Sequence, residues 1–307
     1  MYQCSSVFRA ILAAAVCVMG ATAVAKDAAE IVFQKDLAYA KVGDAELKYD
    51  IARPGEGNGP FPFVLCIHAG GWQLGDKRSF RDDIRALAAR RYVAATINYR
   101  LTPGAKWPAQ LEDVRTAVRY FRSHAVELKI DPARFGAIGD DSGGHLALML
   151  GLVSAQDEKD KPVEQSARVQ AVVNIFGPTD LREWRVNSGW VEAKIRIGFF
   201  RSSEQVFEDF LGTRDRTAQI CYDASPLAHV TPDSPPILTI VGTADPLITL
   251  DQPKAFHEAL KKAGVPEEMM IVEGGEHDRK SFAKDSGVDE RWEAFFDKYL
   301  KGALPAK

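Results

Sequence analysis

Apolar residues fall along this chain in short continuous runs, and between the runs they recur every three or four positions. Residues 61–67 form the first such run, as a parallel strand buried on both faces requires. Residues 80–90 follow with Phe80, Ile84 and Leu87 on one helical face, and Ser79 stands where a cap belongs. Residues 92–97 read as the next strand. Residues 108–123 read as a helix with an apolar stripe of Leu111, Val114, Val118 and Phe121. A strand at 135–138 and a helix at 143–154 come next, then strands at 169–176 and 237–241. A helix at 252–263 is stopped by Gly264, a strand runs over 269–272, and a last helix spans about 290–300. Such alternation predicts the α/β class, a mostly parallel sheet with helices on both faces.

The alternation breaks down between residues 177 and 230. That stretch holds Trp184, Trp190, Phe199, Phe200 and Phe207 and offers no strand candidate. Its aromatics form either the core of a surface excursion or a small lid over a site. The lid-like insertion is the reading taken.

With 307 residues the chain has room for one large α/β domain. Its 46% hydrophobic and 26% charged residues are ordinary for a protein with a sizeable core. A net charge of −3 gives no electrostatic case for nucleic acid or an anionic membrane surface. The six histidines are scattered, with no His/Cys cluster at ligand spacing, so no metal site is expected.

The amino terminus reads as a targeting signal. Arg9 supplies the positive charge, residues 11–20 an apolar stretch too short to span a bilayer, and Ala23-Val24-Ala25 a cleavage site. The expected product is a secreted or periplasmic chain from residue 26 onward, without a stable membrane anchor. Of four cysteines, Cys66 and Cys221 would remain. An exported compartment permits a disulfide, but Cys66 lies inside an apolar strand pattern, where a buried free thiol fits as well.

Three motifs stand at the ends of predicted strands. His68-Ala69-Gly70-Gly71-Trp72 follows residues 61–67; its glycines allow a tight turn that brings bare N–H groups toward a ligand. Gly139-Asp140-Asp141-Ser142-Gly143-Gly144-His145 joins the strand at 135–138 to a helix. A strained nucleophile elbow of G-x-S-x-G type belongs at such a junction. Asp245 and His277 follow the last two strands, at the carboxyl ends where sites form in parallel sheets. The order elbow, acid, histidine matches a nucleophile–acid–base triad. His145 reads as a buried structural histidine, and Trp72 and Trp107 as packing residues, with Trp72 near the pocket mouth.

These motifs make the chain resemble the α/β-hydrolases, in the branch with an HGGG-type loop that includes hormone-sensitive-lipase-like and feruloyl-esterase-like (BD-FAE-like) enzymes. The similarity runs from about Lys48 to the carboxyl terminus. It includes Gly75-Asp76-Lys77, Asn98-Tyr99-Arg100-Leu101, Asp131-Pro132-Ala133-Arg134, Phe176-Gly177-Pro178-Thr179-Asp180-Leu181, Ala224-Ser225-Pro226 and Gly242-Thr243-Ala244-Asp245-Pro246. The resemblance implies hydrolysis of carboxylic esters without a cofactor, on small acyl or aryl esters or acylated polysaccharide fragments. It assigns Asp245 as triad acid and His277 as base. Backbone N–H groups at Gly70 and Gly71, with that of Ser142, become the oxyanion hole. Ala69 replaces a glycine common in the loop.

The nucleophile departs from the family pattern. Asp131-Pro132 upstream and Gly143-Gly144-His145 downstream fix the register, which puts Asp141 in the serine slot and Ser142 where alanine is usual. A carboxylate attacking an ester must expel an alkoxide. The conjugate-acid gap from about 15.7 to about 3.9, at 1.36 kcal/mol per unit, is roughly 16 kcal/mol at most. Three readings remain open: an esterase that uses Ser142 through a displaced turn, an inactive homologue that binds a ligand or partner, and a hydrolase in which Asp141 attacks saturated carbon. Ester hydrolase is the reading taken by ancestry. A second carboxylate near His277 would also raise its pKa and make it a poorer base.

Overall fold

The computed structural model describes residues 30–158, 160–184, 202–282 and 287–302. The expected targeting segment and cleavage site, and Trp190, Phe199 and Phe200 of the expected lid-like insertion, lie outside the described residues. Among the described residues no helix is long and apolar enough to cross a membrane.

Eight strands form one sheet. They are β1 (Ile31–Val42), β2 (Ala45–Pro54), β3 (Phe61–Ile67), β4 (Val93–Ile97), β5 (Ile130–Asp140), β6 (Ala171–Ile175), β7 (Ile237–Gly242) and β8 (Glu267–Val272). Their order across the sheet is β1-β2-β4-β3-β5-β6-β7-β8. The segment from β4 to β8 is parallel throughout, as the alternating pattern predicts. The first two strands form an antiparallel hairpin, which joins the sheet through antiparallel pairing of β2 with β4. That hairpin escaped the sequence reading because most of β1 is half-buried or exposed and has no continuous apolar run. Its only local signal is the turn at Gly43-Asp44.

The described helices are α1 (Arg81–Ala89), α2 (Ala109–Ser123), α3 (Ala125–Leu128), α4 (Ser142–Asp157), α5 (Ser203–Leu211), α6 (Gln219–Asp223), α7 (Asp251–Lys262), α8 (Arg279–Phe282) and α9 (Val288–Phe296). Side chains on β3 show how the two layers arise. Phe63, Leu65 and Ile67 enter one core, shared with Val114, Val118 and Phe121 of α2, the apolar side chains of α4, and Phe256 and Leu260 of α7. Val64 and Cys66 point the other way, into a second core with Ile84 and Leu87 of α1 and Trp292, Phe295 and Phe296 of α9. Because successive strand residues face opposite sides, a run of seven buried positions supplies both layers at once.

Element ends shift by a few residues from the expected ones. Ser79 does not cap α1. The chain enters that helix through a 3-10 turn, Lys77–Phe80, and Asp76 accepts a hydrogen bond from Arg78 N–H to cap it. Between residues 177 and 230, α5 is capped by the Ser202 hydroxyl and ends at Gly212 with φ +78°. Trp184, Phe207 and Phe210 are buried, and Trp72 of the glycine loop stacks on Phe210 at 4.1 Å. Cys66 and Cys221 are both buried free thiols and are not paired.

Candidate active site

Parallel pairing brings the carboxyl ends of β3, β5, β7 and β8 to one edge of the sheet, so four loops distant in sequence converge. The elbow after β5 is sterically demanding. Asp141 has φ +49° and ψ −120°, a sparsely populated conformation for a residue with a side chain, at a cost of about 1–3 kcal/mol. The close approach that enforces it needs glycine on either side. A Cβ on Gly139 would lie 2.2 Å from the Gly143 carbonyl oxygen, and one on Gly143 would lie 2.0 Å from the Ile67 carbonyl oxygen.

The elbow projects Asp141 between the glycine loop and the histidine. Gly70 N–H and Gly71 N–H donate to Asp141 Oδ2 at 3.1 and 2.9 Å, and the Ser142 N–H also acts on the carboxylate. Asp141 Oδ1 lies 3.3 Å from His277 Nε2. That contact is ionic and is not aligned as a hydrogen bond. On the far side of the ring, His277 Nδ1–H donates to Asp245 Oδ2 at 2.8 Å. Asp245 is itself held by N–H donors from Leu247 and Ile248, at 2.8 and 2.9 Å to its other oxygen. Asp141, His277 and Asp245 thus form a continuous line, with the nucleophile position filled by a carboxylate.

The electrostatics follow from this line. Burial would lower the pKa of His277, but the flanking carboxylates of Asp141 and Asp245 outweigh it and raise the value to about 9. Burial would raise that of Asp141. Its contact with His277 and the N–H groups of Gly71 and Ser142 win, and hold the value at about 2. At neutral pH the site is therefore carboxylate, imidazolium, carboxylate. An imidazolium has no lone pair for general-base work, and the oxyanion donors are already engaged by Asp141 Oδ2.

Ser142 is not brought into this line. It is fully buried, and its hydroxyl lies 3.3 Å from the Tyr99 hydroxyl, which donates to the His68 carbonyl oxygen. Only the Ser142 backbone faces the site. His145 is a buried structural residue whose Nε2 pairs with the Ala224 carbonyl oxygen at 2.7 Å. Trp72 is buried, with its ring edge-on to those of His145 and Trp184; it packs the glycine loop and does not stand at a pocket mouth.

Several site residues lie beyond the sequence reading. The Phe176 ring packs on His277 at 4.5 Å and stacks on Phe282. Its place directly after β6 was the available signal. Arg279, two residues after His277, pairs with Asp83 of α1 and lies over the Phe80 ring, which ties the histidine loop to α1. Asp140, beside Asp141, is buried with Oδ1 unpaired. Burial raises its pKa to about 7, against the pull of Arg279.

The relatives agree with this architecture. The esterase LipC of Mycobacterium tuberculosis is 30% identical over 211 residues, which cover 66% of this chain and 49% of LipC. This chain spans about half the length of LipC and of two further mycobacterial relatives that it matches. Among solved structures, the esterase Est2 of Thermogutta terrifontis superposes with a TM-score of 0.69 at 25% identity, over 91% of this chain and 95% of Est2. A carbohydrate esterase from gut microbiota shares the fold, with a TM-score of 0.72 at 23% identity over 90% and 99% of the two chains. The BD-FAE family model matches residues 49–260, which hold the glycine loop, the elbow and Asp245. By that match, which spans well over half of its length, the chain belongs to the BD-FAE family of esterase-like α/β-hydrolases.

Proposed function

We propose that this chain is an exported ester-recognising member of its family in which acyl transfer is switched off at the nucleophile. Its ligands are small acyl or aryl esters or acylated saccharide fragments. The observation that carries this reading is the Asp141 carboxylate in the oxyanion hole, ion-paired to His277. The ester-hydrolase reading through Ser142 finds no support, because that hydroxyl is buried against Tyr99. An ester carbonyl oxygen would have to displace Asp141 Oδ2 from two N–H donors, each typically worth about 3 to 4 kcal/mol in a transition state. The esterase Est2 has been seen with propionate bound, a small carboxylate of the kind that the Asp141 side chain imitates. Attack on saturated carbon does not meet the leaving-group mismatch that disfavours acyl transfer to the same carboxylate.

The test is hydrolysis of a small activated aryl ester by the mature protein beside its Asp141→Ser variant. Silence in the wild type and turnover in the variant is the expected pair. Wild-type turnover that vanishes in Ser142→Ala would overturn the reading in favour of a serine esterase.

A further inference from the structure

We propose that a cavity beside the Asp245 loop is a binding site for a neutral pyranoside, whose hydroxyl groups are held by the Gln252 amide and the carboxylates of Asp180 and Asp251.

The cavity has a volume of about 360 Å³, near the lower end of the range for small-molecule sites, about 300–1,000 Å³. Four parts of the chain wall it: the loop after β6, the 3-10 turn Pro226–His229, the loop after β7 and the start of α7. Gln252 of α7 lines it although the residue is only 9% exposed. Its Oε1 accepts from the Thr179 and Asp180 N–H groups at 3.2 and 3.3 Å, which fixes the plane of the amide. Its Nε2 donates to nothing among the described residues, so a buried, oriented donor is left for an occupant of the cavity.

The other polar groups are opposite in kind. Asp180 is set in place by Arg182 and Ser225, and the Asp251 carboxylate, in the first turn of α7, has no partner among the described residues. Glu183 adds a third carboxylate to the lining, and among the described residues no lysine or arginine joins it. This combination selects the ligand. An ammonium group would satisfy the carboxylates and leave the amide N–H groups bare. An anion would take the amide and be repelled by three carboxylates. A hydroxyl group can do both, donating to a carboxylate and accepting from an amide. Leu227, Leu247 and Ala255 supply an apolar wall, against which the C–H face of a sugar ring loses its water.

The cavity adjoins the Asp141–His277–Asp245 line without belonging to it. Leu247 lines the cavity and also gives its N–H to Asp245, so an occupant rests on the segment that holds the acid. Binding of an unacylated pyranoside requires nothing of Asp141 or of the oxyanion hole. Failure of the reading given to the elbow therefore leaves this site standing, and the reverse also holds.

The experiment titrates the ¹⁵N-labelled mature protein with the methyl β-pyranosides of glucose, galactose and xylose at millimolar concentration, and follows the backbone amide shifts of α7. At least one of the three should shift the amides of Gln252 and Ala255 saturably. Gln252→Glu keeps an acceptor for the Thr179 and Asp180 N–H groups and removes only the donor, so binding should weaken about tenfold. Ala255 is exposed, so Ala255→Trp should fold as the wild type does, fill the cavity and abolish the shifts. Should Gln252→Glu not fold, Ala255→Trp decides alone. The proposal fails if none of the three pyranosides moves the α7 amides, or if the shifts persist in Ala255→Trp. It also fails if methylammonium moves the same amides and the pyranosides do not, which would make the cavity a cation site.

Discussion

Asp141 Oδ1 and His277 Nε2 face each other at 3.3 Å, the place of a nucleophile–base hydrogen bond in a working triad, and here both partners carry charge. The contact changes both groups at once. It keeps the aspartate ionised and deprives the histidine of its lone pair, so one substitution at the elbow alters nucleophile and base together.

Replacing Asp141 by serine should therefore restore more than a hydroxyl. With one carboxylate gone, the pKa of His277 should fall from about 9 toward the ordinary histidine range. Titration of the ring protons by NMR would show this in Asp141→Ser, alongside the onset of ester hydrolysis. An unchanged titration near 9 would mean that Asp245 alone holds the imidazolium.

Stability should follow the same pair. The folded-state pKa of His277 is raised above its unfolded value, so its contribution is fully present below about 6.5 and is lost as pH rises through about 9. That of Asp141 is depressed, so its contribution is present above about 3.9 and is lost as pH falls toward about 2. In an Asp140→Asn background, thermal denaturation from pH 4 to 10 should show a plateau at mildly acidic pH and a falling alkaline limb. The limb should be shallower in Asp141→Ser.

Asp141→Gly should leave an anion site. Glycine accepts the φ of +49°, which relieves about 1–3 kcal/mol of strain and frees the N–H groups of Gly70 and Gly71 beside an imidazolium. Added acetate should raise the Tm of this variant and leave that of the wild type unmoved. Equal responses in the two proteins would show that the oxyanion hole is not the binding place.

Asp140 carries a separate pH dependence. Its buried carboxyl has a folded pKa raised to about 7, so folding stability is lost as pH rises from its unfolded value through neutrality. Asp140→Asn removes that loss, and at pH 8 its Tm should exceed the wild-type value by about 2–4 °C for each kcal/mol regained. Below pH 4 the two should melt together.

Gly143→Ala tests the elbow itself. The added methyl would meet the Ile67 carbonyl oxygen at 2.0 Å, and overpacking against backbone costs about 1–3 kcal/mol or more. The measurable outcome is a lower midpoint in urea with an unchanged slope. A neutral result would show that the strand-to-elbow contact is looser than the geometry indicates.

Much of this protein is legible in one dimension. The buried runs of β3, β4, β6 and β7, the stripe of α2 and the glycines around the elbow each express a local requirement, and local requirements leave local patterns. The same local patterns carry an expectation of register: the glycines and Asp131-Pro132 put Asp141 in the slot where a nucleophile is expected. The perturbed histidine follows from the residue types as well, since two carboxylates must act on any imidazole placed between them. The β1–β2 hairpin and helices α5 and α6 were not legible, because their short or half-exposed segments take their conformation from pairing and packing partners. Tertiary structure alone decided which oxygen of Asp141 enters the oxyanion hole, that the Ser142 hydroxyl turns into the core against Tyr99, and that Arg279 ties the histidine loop to Asp83. Those are distances between loops far apart in the chain, set by the parallel sheet that gathers them at one edge, and no local pattern encodes them.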